Sequence, residues 1–185
     1  MYARPATKLT RIIASVAALT IAVIAQAQRA PTVTYSLSGS AGNWTLNFTL
    51  HSHFLGGEGN FYFFNVKLDS GRDITGSPAS WDPNAYGSWT FYYAGATNTT
   101  YNNCWITNPG GGSVVFPGTS LSGFIVHCTD AAAPTSVAWG AIAVGGNYLG
   151  NDCLIGPTNP AFEGFAKRSP LKAGPPIPWP PPCMR

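Results

Sequence analysis

Three histidines, one His–Cys step and seven carboxylates are the residues of this chain whose types can do chemistry. His51 and His53, in the segment His51-Ser52-His53, fall on one face of a strand, a spacing that can hold a metal ion. No third ligand lies at a fixed local spacing, so the pair reads as polar residues at a strand end. His127 precedes Cys128, the order of a base beside a thiol nucleophile. Adjacent residues on a strand point to opposite faces, which keeps the two apart.

The carboxylates select no reaction. Asp69, Asp73, Asp82, Asp130 and Asp152 fall in expected loops, where aspartates can gather calcium, yet no Asp-x-Asp-x-Asp-Gly run is present. Glu58 and Glu163 are the two glutamates, each in a glycine-containing turn. Glycoside hydrolysis needs two carboxyls held across a sugar, and the sequence singles out no such pair. Serine-hydrolase, phosphate-loop and zinc-protease signatures are also missing. No catalytic residue, metal ligand or cofactor is assigned.

The aromatic residues say more. All but Tyr2 and Trp179 lie between residues 30 and 166, and those that alternate with small or polar residues, such as Trp44, Phe48, Phe124 and Trp139, should fill a core. Trp81, Tyr86, Trp89, Tyr101 and Trp105 are set instead among Asn, Thr, Gly and Ser. A sugar ring offers apolar C–H faces that stack on such rings and hydroxyls that bond such neighbours, so these five form the expected ligand surface. Packing of turns by the same rings is the competing expectation. Asn-x-Thr sequons at Asn43, Asn47 and Asn98 reflect the Thr/Asn-rich composition.

The elements that must position these residues are strands. Val33, Tyr35 and Leu37 alternate with Thr and Ser. After Gly39-Ser40-Ala41-Gly42-Asn43, Trp44, Leu46, Phe48 and Leu50 do the same, which predicts an antiparallel hairpin. Further strands are expected at Phe61 to Leu68, Ser88 to Tyr93, Trp105 to Thr107, Ser113 to Phe116, Ser120 to Cys128 and Ser136 to Val144. Turn residues separate them at near-regular spacing, and no long 3.6-residue period appears beyond the first 27 residues. The fold expected is all-β, a single-domain antiparallel β-sandwich over residues 28–166. The loop Thr129-Asp130-Ala131-Ala132-Ala133-Pro134-Thr135-Ser136 is expected to join two neighbouring strands, with Pro134 kept out of the ladder.

Four cysteines predict a disulfide where the compartment is oxidising, and four allow three full connectivities. Cys104 with Cys153 is preferred over Cys104 with Cys128, because a strand of about eight residues, roughly 27 Å, separates Cys128 from the turn leading to Cys153.

Residues 1–27 have the layout of a cleaved signal peptide: basic Arg4, Lys8 and Arg11, the apolar run Ile12 to Ile24, and Ala25-Gln26-Ala27 as the cleavage site. The run is too short for a membrane span. Secretion to the periplasm or the exterior follows, with no membrane span after cleavage. Between residues 30 and 166 only Lys67 and Arg72 face seven acids. That acidic body lacks the clustered cations that nucleic acid requires. Residues 167–185 contain four basic residues, no acid and seven prolines, and are expected to form a disordered extended tail outside the sheet.

The segments GSPASWDPN, WITN, PGTSLSGF, TDAAAPTSVAWGAIAV and NPAFEGFA, in that order from about Thr32 to Ala166, resemble the secreted domain of bacterial PEP-CTERM proteins, which exosortase systems sort to the envelope. The resemblance implies an exported β-sandwich associated with the cell surface or its exopolysaccharide. Such proteins end in a Pro-Glu-Pro element, an apolar helix and a basic cluster, whereas this chain ends AKRSPLKAGPPIPWPPPCMR. A shifted reading frame past Ala166 is the expected origin of that departure, with release from the cell as the expected consequence. The function expected is therefore a non-catalytic envelope or extracellular-matrix protein with weak polysaccharide contact, its partners being polysaccharide or other envelope proteins. A secreted polysaccharide hydrolase and a structural adhesive subunit are the alternatives.

Overall fold

The computed structural model describes residues 29–170. The signal peptide and the tail beyond Pro170, with the frameshift reading attached to it, lie outside the described residues. The strands are β1 (Thr32–Ser40), β2 (Asn43–His51), β3 (Asn60–Val66), β4 (Ile74–Gly76), β5 (Trp89–Thr90), β6 (Thr100–Tyr101), β7 (Asn103–Ile106), β8 (Ser120–Cys128), β9 (Ser136–Val144) and β10 (Ala161–Arg168). No helix occurs among the described residues, so none is long and apolar enough to cross a membrane.

Eight strands form one sheet in the order β4-β8-β2-β1-β10-β9-β3-β7, and β5 pairs with β6 apart from it. Every pairing is antiparallel except β1 with β10. The sheet curls until its two ends nearly meet. Asp82, downstream of β4, bridges to Ile106 of β7, and the Trp105 indole N–H donates to the Gly76 carbonyl at 3.1 Å. The interior is aromatic: Phe124 of β8 lies 4.7 Å from Phe64 of β3 and 5.4 Å from Trp105 of β7, ring centre to ring centre. Tyr35, Phe48 and Phe61 complete a continuous buried cluster with them.

Alternation explains β1 and β2, which pair from Thr32 with His51 to Ser40 with Asn43. Two bulges reset it elsewhere. On β8 the ladder slips between Phe124 and Ser122, where Gly123 takes a φ of 103° that a side chain would resist. On β3 the ladder slips between Phe61 and Phe63. Tyr62 is the extra residue, so Phe61, Phe64 and Val66 share the interior while Phe63 joins a second cluster.

Two expectations are corrected. β8 and β9 are not neighbours: β8 pairs with β2 and β4, and β9 with β10 and β3. β9 is buried for most of its length on both faces, which demands a central place in the sheet. The loop between them crosses over the β1–β2 end instead, tied there by the Tyr35 hydroxyl to the Pro134 carbonyl at 2.6 Å and the Trp44 indole to the Asp130 carbonyl at 3.0 Å. The sheet also extends past Ala166, because Lys167 and Arg168 pair with Thr34 and Tyr35.

One end is pinned by a buried carboxylate. Glu58 is 2% exposed and accepts hydrogen bonds from the Arg29 guanidinium, the Leu55 N–H and the Leu149 N–H. Three separate chain segments meet on one side chain.

Candidate functional site

Residues 86–101 form a lobe against the outside of β3, β7 and β9. Its attachment is apolar: Phe91 and Tyr101 are buried with Phe63, Cys104 and Ile142, and Trp89 and Ile106 pack against them. Phe63 lies 5.7 Å from Tyr86 and 5.1 Å from Trp89. Two residue pairs, Trp89 with Tyr101 and Thr90 with Thr100, make the small β5–β6 ladder, and the Thr90 and Thr100 hydroxyls bond each other at 2.9 Å.

The outer side of the lobe is a run of exposed rings. Tyr92 is 81% exposed, Tyr93 46% and Tyr86 38%. Ser88, Trp89, Thr90, Tyr92 and Tyr93 line an open hollow of about 490 Å³. Tyr62 stands beside them: burial pushes its phenol pKa up, and the neighbouring Tyr86 and Tyr93 phenols push the same way. Flat rings next to hydroxyls are thus gathered on one surface.

The five ring residues expected from sequence divide. Tyr86 and Trp89 belong to the lobe surface. Trp81, Tyr101 and Trp105 are buried and do not belong to the exposed surface of the lobe. Trp81 and Trp105 pack edge-on against Phe124 inside the main core. Tyr101 underlies the lobe. Tyr62, Tyr92 and Tyr93 were missed, although the adjacent Tyr92 and Tyr93 carried a signal, since successive side chains on an extended segment point to opposite sides and one side of this short lobe faces solvent.

The lobe is clamped at its base by Glu163 of β10. Its carboxylate accepts from the Tyr101 hydroxyl at 2.6 Å, the Thr97 hydroxyl at 2.8 Å and the Thr97 N–H at 2.8 Å. Burial, followed by the bond to Glu163, raises the Tyr101 pKa. Glu163 and Asp152 both line a cleft of about 340 Å³ floored by Ala138 and Gly164. Asp152 accepts from the Tyr148 hydroxyl at 2.7 Å. The remaining acids lie elsewhere: Glu58 is buried with Arg29, and Asp73 bonds His127.

The histidines are engaged separately. The His51 ring lies between the Thr34 hydroxyl at 2.9 Å and the Ser120 hydroxyl at 2.8 Å, and His53 reaches Thr32 at 2.8 Å. Burial lowers the His51 pKa, and His53 adds to the shift. His127 bridges Asp73 at 2.7 Å and Asn43 at 2.8 Å, while Cys128 points into the core. Among the described residues no group of three or more His, Cys, Asp or Glu could hold a metal ion.

Among the described residues Cys104, Cys128 and Cys153 form no disulfide with one another. The preferred Cys104–Cys153 bond is not formed, because Cys104 lies under the lobe while Cys153 packs on the main core, a different apolar cluster. Burial raises the Cys104 pKa to about 12. Cys128 is raised as well, by burial and then by its hydrogen bond to Asp130. Such thiols are protonated and poor nucleophiles.

The fold and site define an all-β protein built on a curled, nearly closed sheet with an external aromatic lobe. No protein-family model matches the chain, and no curated protein or solved structure matches it.

Proposed function

We propose that this is a non-catalytic, exported bacterial envelope or extracellular-matrix protein that contacts polysaccharide through the aromatic lobe. The observation that carries the reading is the clustering of Tyr86, Trp89, Tyr92 and Tyr93 beside Ser88 and Thr90 on one exposed surface. Rings of this kind offer an apolar face and a polar tip together. A sugar chain needs both. Export rests on the leader pattern of residues 1–27, and placement in the envelope on the resemblance to PEP-CTERM domains. A two-layer, sandwich-like arrangement belongs to the same reading, supported by Phe48 and Phe124 facing Phe64 across the interior.

A glycan array and a cell-wall pull-down test the proposal with the wild type and a Trp89→Ala/Tyr92→Ala double variant. Retention should fall at least tenfold in the double variant. Retention that survives both substitutions removes the lobe from the contact.

A second reading, secreted polysaccharide hydrolysis, is favoured by one observation, the presence of Asp152 and Glu163 in one cleft. Reducing-sugar release from envelope polysaccharide that disappears in Glu163→Gln would support it. No release from the wild type removes it.

A further inference from the structure

The lobe covers polar atoms that the protein itself does not satisfy. Asn65, on β3, is 0% exposed, and neither its amide oxygen nor its amide nitrogen has a hydrogen-bond partner. The indole N–H of Trp89, a lobe residue packed against the cluster that Phe91 belongs to, is also buried and unpartnered. Buried polar groups are nearly always paired, and an unpaired one is costly. Two such atoms beneath the lobe and one on it require an explanation.

Asn65 pairs with Gly140 across the β3–β9 ladder. A Cβ built on Gly140 would stand 2.5 Å from the Asn65 amide oxygen and 2.5 Å from a Phe91 ring carbon. The Asn65 amide and the Phe91 ring therefore share the space above Gly140, which only glycine leaves open. Phe91 belongs to the lobe, and its ring offers the amide no hydrogen bond.

The lobe is suited to moving. Among the described residues, the main-chain bonds of residues 86–96 are the β5–β6 ladder and the turn from Ala96 N–H to the Tyr93 carbonyl. None of these reaches the eight-stranded sheet. Apolar packing and the Glu163 clamp at the base hold the segment down.

We infer that Phe91 plugs an inner subsite: the lobe lifts, and one neutral sugar ring takes the place of the Phe91 ring, its hydroxyls meeting the Asn65 amide and the Trp89 indole N–H. The inference rests on the polysaccharide reading and deepens it by naming an inner subsite and its sugar class. A primary amide supplies a donor and an acceptor side by side, which matches two adjacent hydroxyls. The side chains Phe63, Cys104 and Ile142 around the Phe91 ring carry no formal charge at neutral pH, and the carboxylate beside them, Glu163 opposite Gly140, is an acid that disfavours a second one, so a neutral sugar fits and a uronate does not. Binding would satisfy the three orphaned atoms that the closed lobe leaves bare.

The experiment is calorimetric titration of the full chain with neutral oligosaccharides of glucose, galactose and mannose, and with a polyuronate. Wild type, Asn65→Leu, Phe91→Leu and Trp89→Ala/Tyr92→Ala are compared, and each is also unfolded thermally without sugar. The expected result is binding of at least one neutral oligosaccharide, tenfold weaker in Asn65→Leu and lost in the double variant. Phe91→Leu, with a smaller plug, should bind about threefold more tightly. Asn65→Leu should melt no lower than wild type, since it deletes unpaired polar atoms. A lower melting temperature for Asn65→Leu would show that the amide holds the fold, and it overturns the inference. Binding that needs Trp89 and Tyr92 but ignores Asn65, or binding of the polyuronate alone, overturns the subsite and leaves the lobe reading standing. Binding of no glycan at all ends both.

Discussion

Asp82 and Ile106 exchange both main-chain hydrogen bonds, Asp82 N–H to the Ile106 carbonyl at 2.7 Å and Ile106 N–H to the Asp82 carbonyl at 3.1 Å. This single bridge ties the strand at one end of the sheet to the chain that follows the strand at the other. A strand edge left open is a template for pairing with another molecule, and the bridge occupies part of β7's outer edge. The adhesive-subunit reading would need that edge.

Asp82→Pro should therefore do two things at once. Removing the N–H strands the Ile106 carbonyl, at a cost of about 2 kcal/mol, seen as a lower denaturant midpoint. It also frees the edge of β7, so light scattering should report concentration-dependent oligomers absent from the wild type. A variant that stays monomeric would show that other features protect the edge.

Glu58 predicts a larger loss. Its carboxylate is buried against the Arg29 guanidinium and two main-chain N–H groups. Breaking a buried ion pair leaves the partner charge uncompensated, at about 3 to 5 kcal/mol. Glu58→Ala should approach that figure in urea unfolding. Arg29→Ala leaves the buried Glu58 carboxylate with two main-chain donors and no cation, so it should be comparably destabilised.

Much of this fold was legible in the sequence, and the failures have physical causes. The hairpin of β1 and β2 follows from strict alternation, and most of β3, β7, β8 and β9 from apolar runs. β4 and β6, three and two residues long, are too short to show any period, and of the strand expected from Ser88 to Tyr93 only Trp89 and Thr90 pair, as β5. β10 was hidden because Glu163, Gly164, Lys167 and Arg168 break the apolar run; main-chain pairing with β9 and β1 overrides that composition. The order of strands was not legible, since alternation tells which face is buried and not which strand lies beside it. Of the five rings chosen for their polar neighbours, Trp89 and Tyr86 lie on the lobe surface, whereas Trp81, Tyr101 and Trp105 are buried. Asn65 carried a signal, a lone amide in an apolar run, whose meaning depended on the Tyr62 bulge and the covering lobe.

Alkaline pH should destabilise the protein through Cys104. Burial raises its thiol from an ordinary 9.0 to about 12. Above pH 9 the unfolded chain loses this proton and the folded chain keeps it, so the stabilisation present below pH 9 is lost progressively as pH rises toward 12. The slope is at most about 1.4 kcal/mol per pH unit for the one group. Tyr101 and Tyr148, also raised by burial and then by hydrogen bonds to Glu163 and Asp152, act in the same direction. Melting temperatures from pH 8 to pH 11 should fall less steeply in Cys104→Val than in wild type. Equal slopes would mean that the thiol is ionised, or already exposed, in the folded protein.

Glu163 should govern the lobe more than the sheet. Its three accepted hydrogen bonds come from Thr97 and Tyr101, at the lobe's base. Glu163→Ala should cost about 1.5 kcal/mol and speed amide exchange at residues 97–101, leaving β1 and β2 protected. Exchange that rises uniformly would mean that the clamp stabilises the whole sheet.

Gly140→Ala tests the packing beneath the lobe from the opposite side. A methyl group at this position would fall 2.5 Å from both the Asn65 amide oxygen and the Phe91 ring, closer than either can tolerate. Asn65 is fixed within β3 by ladders to β9 and β7, whereas Phe91 sits on a segment with no main-chain bonds to that sheet among the described residues. The weaker holder should give way. Phe91 should be displaced and the lobe loosened, at about 1 to 3 kcal/mol as for other overpacked sites, with Trp89 becoming more solvent-exposed. Tryptophan fluorescence should shift to the red under native conditions, and limited proteolysis should cut first between residues 86 and 96. Cleavage appearing first within β3 or β9 would instead mean that the sheet yields before the lobe.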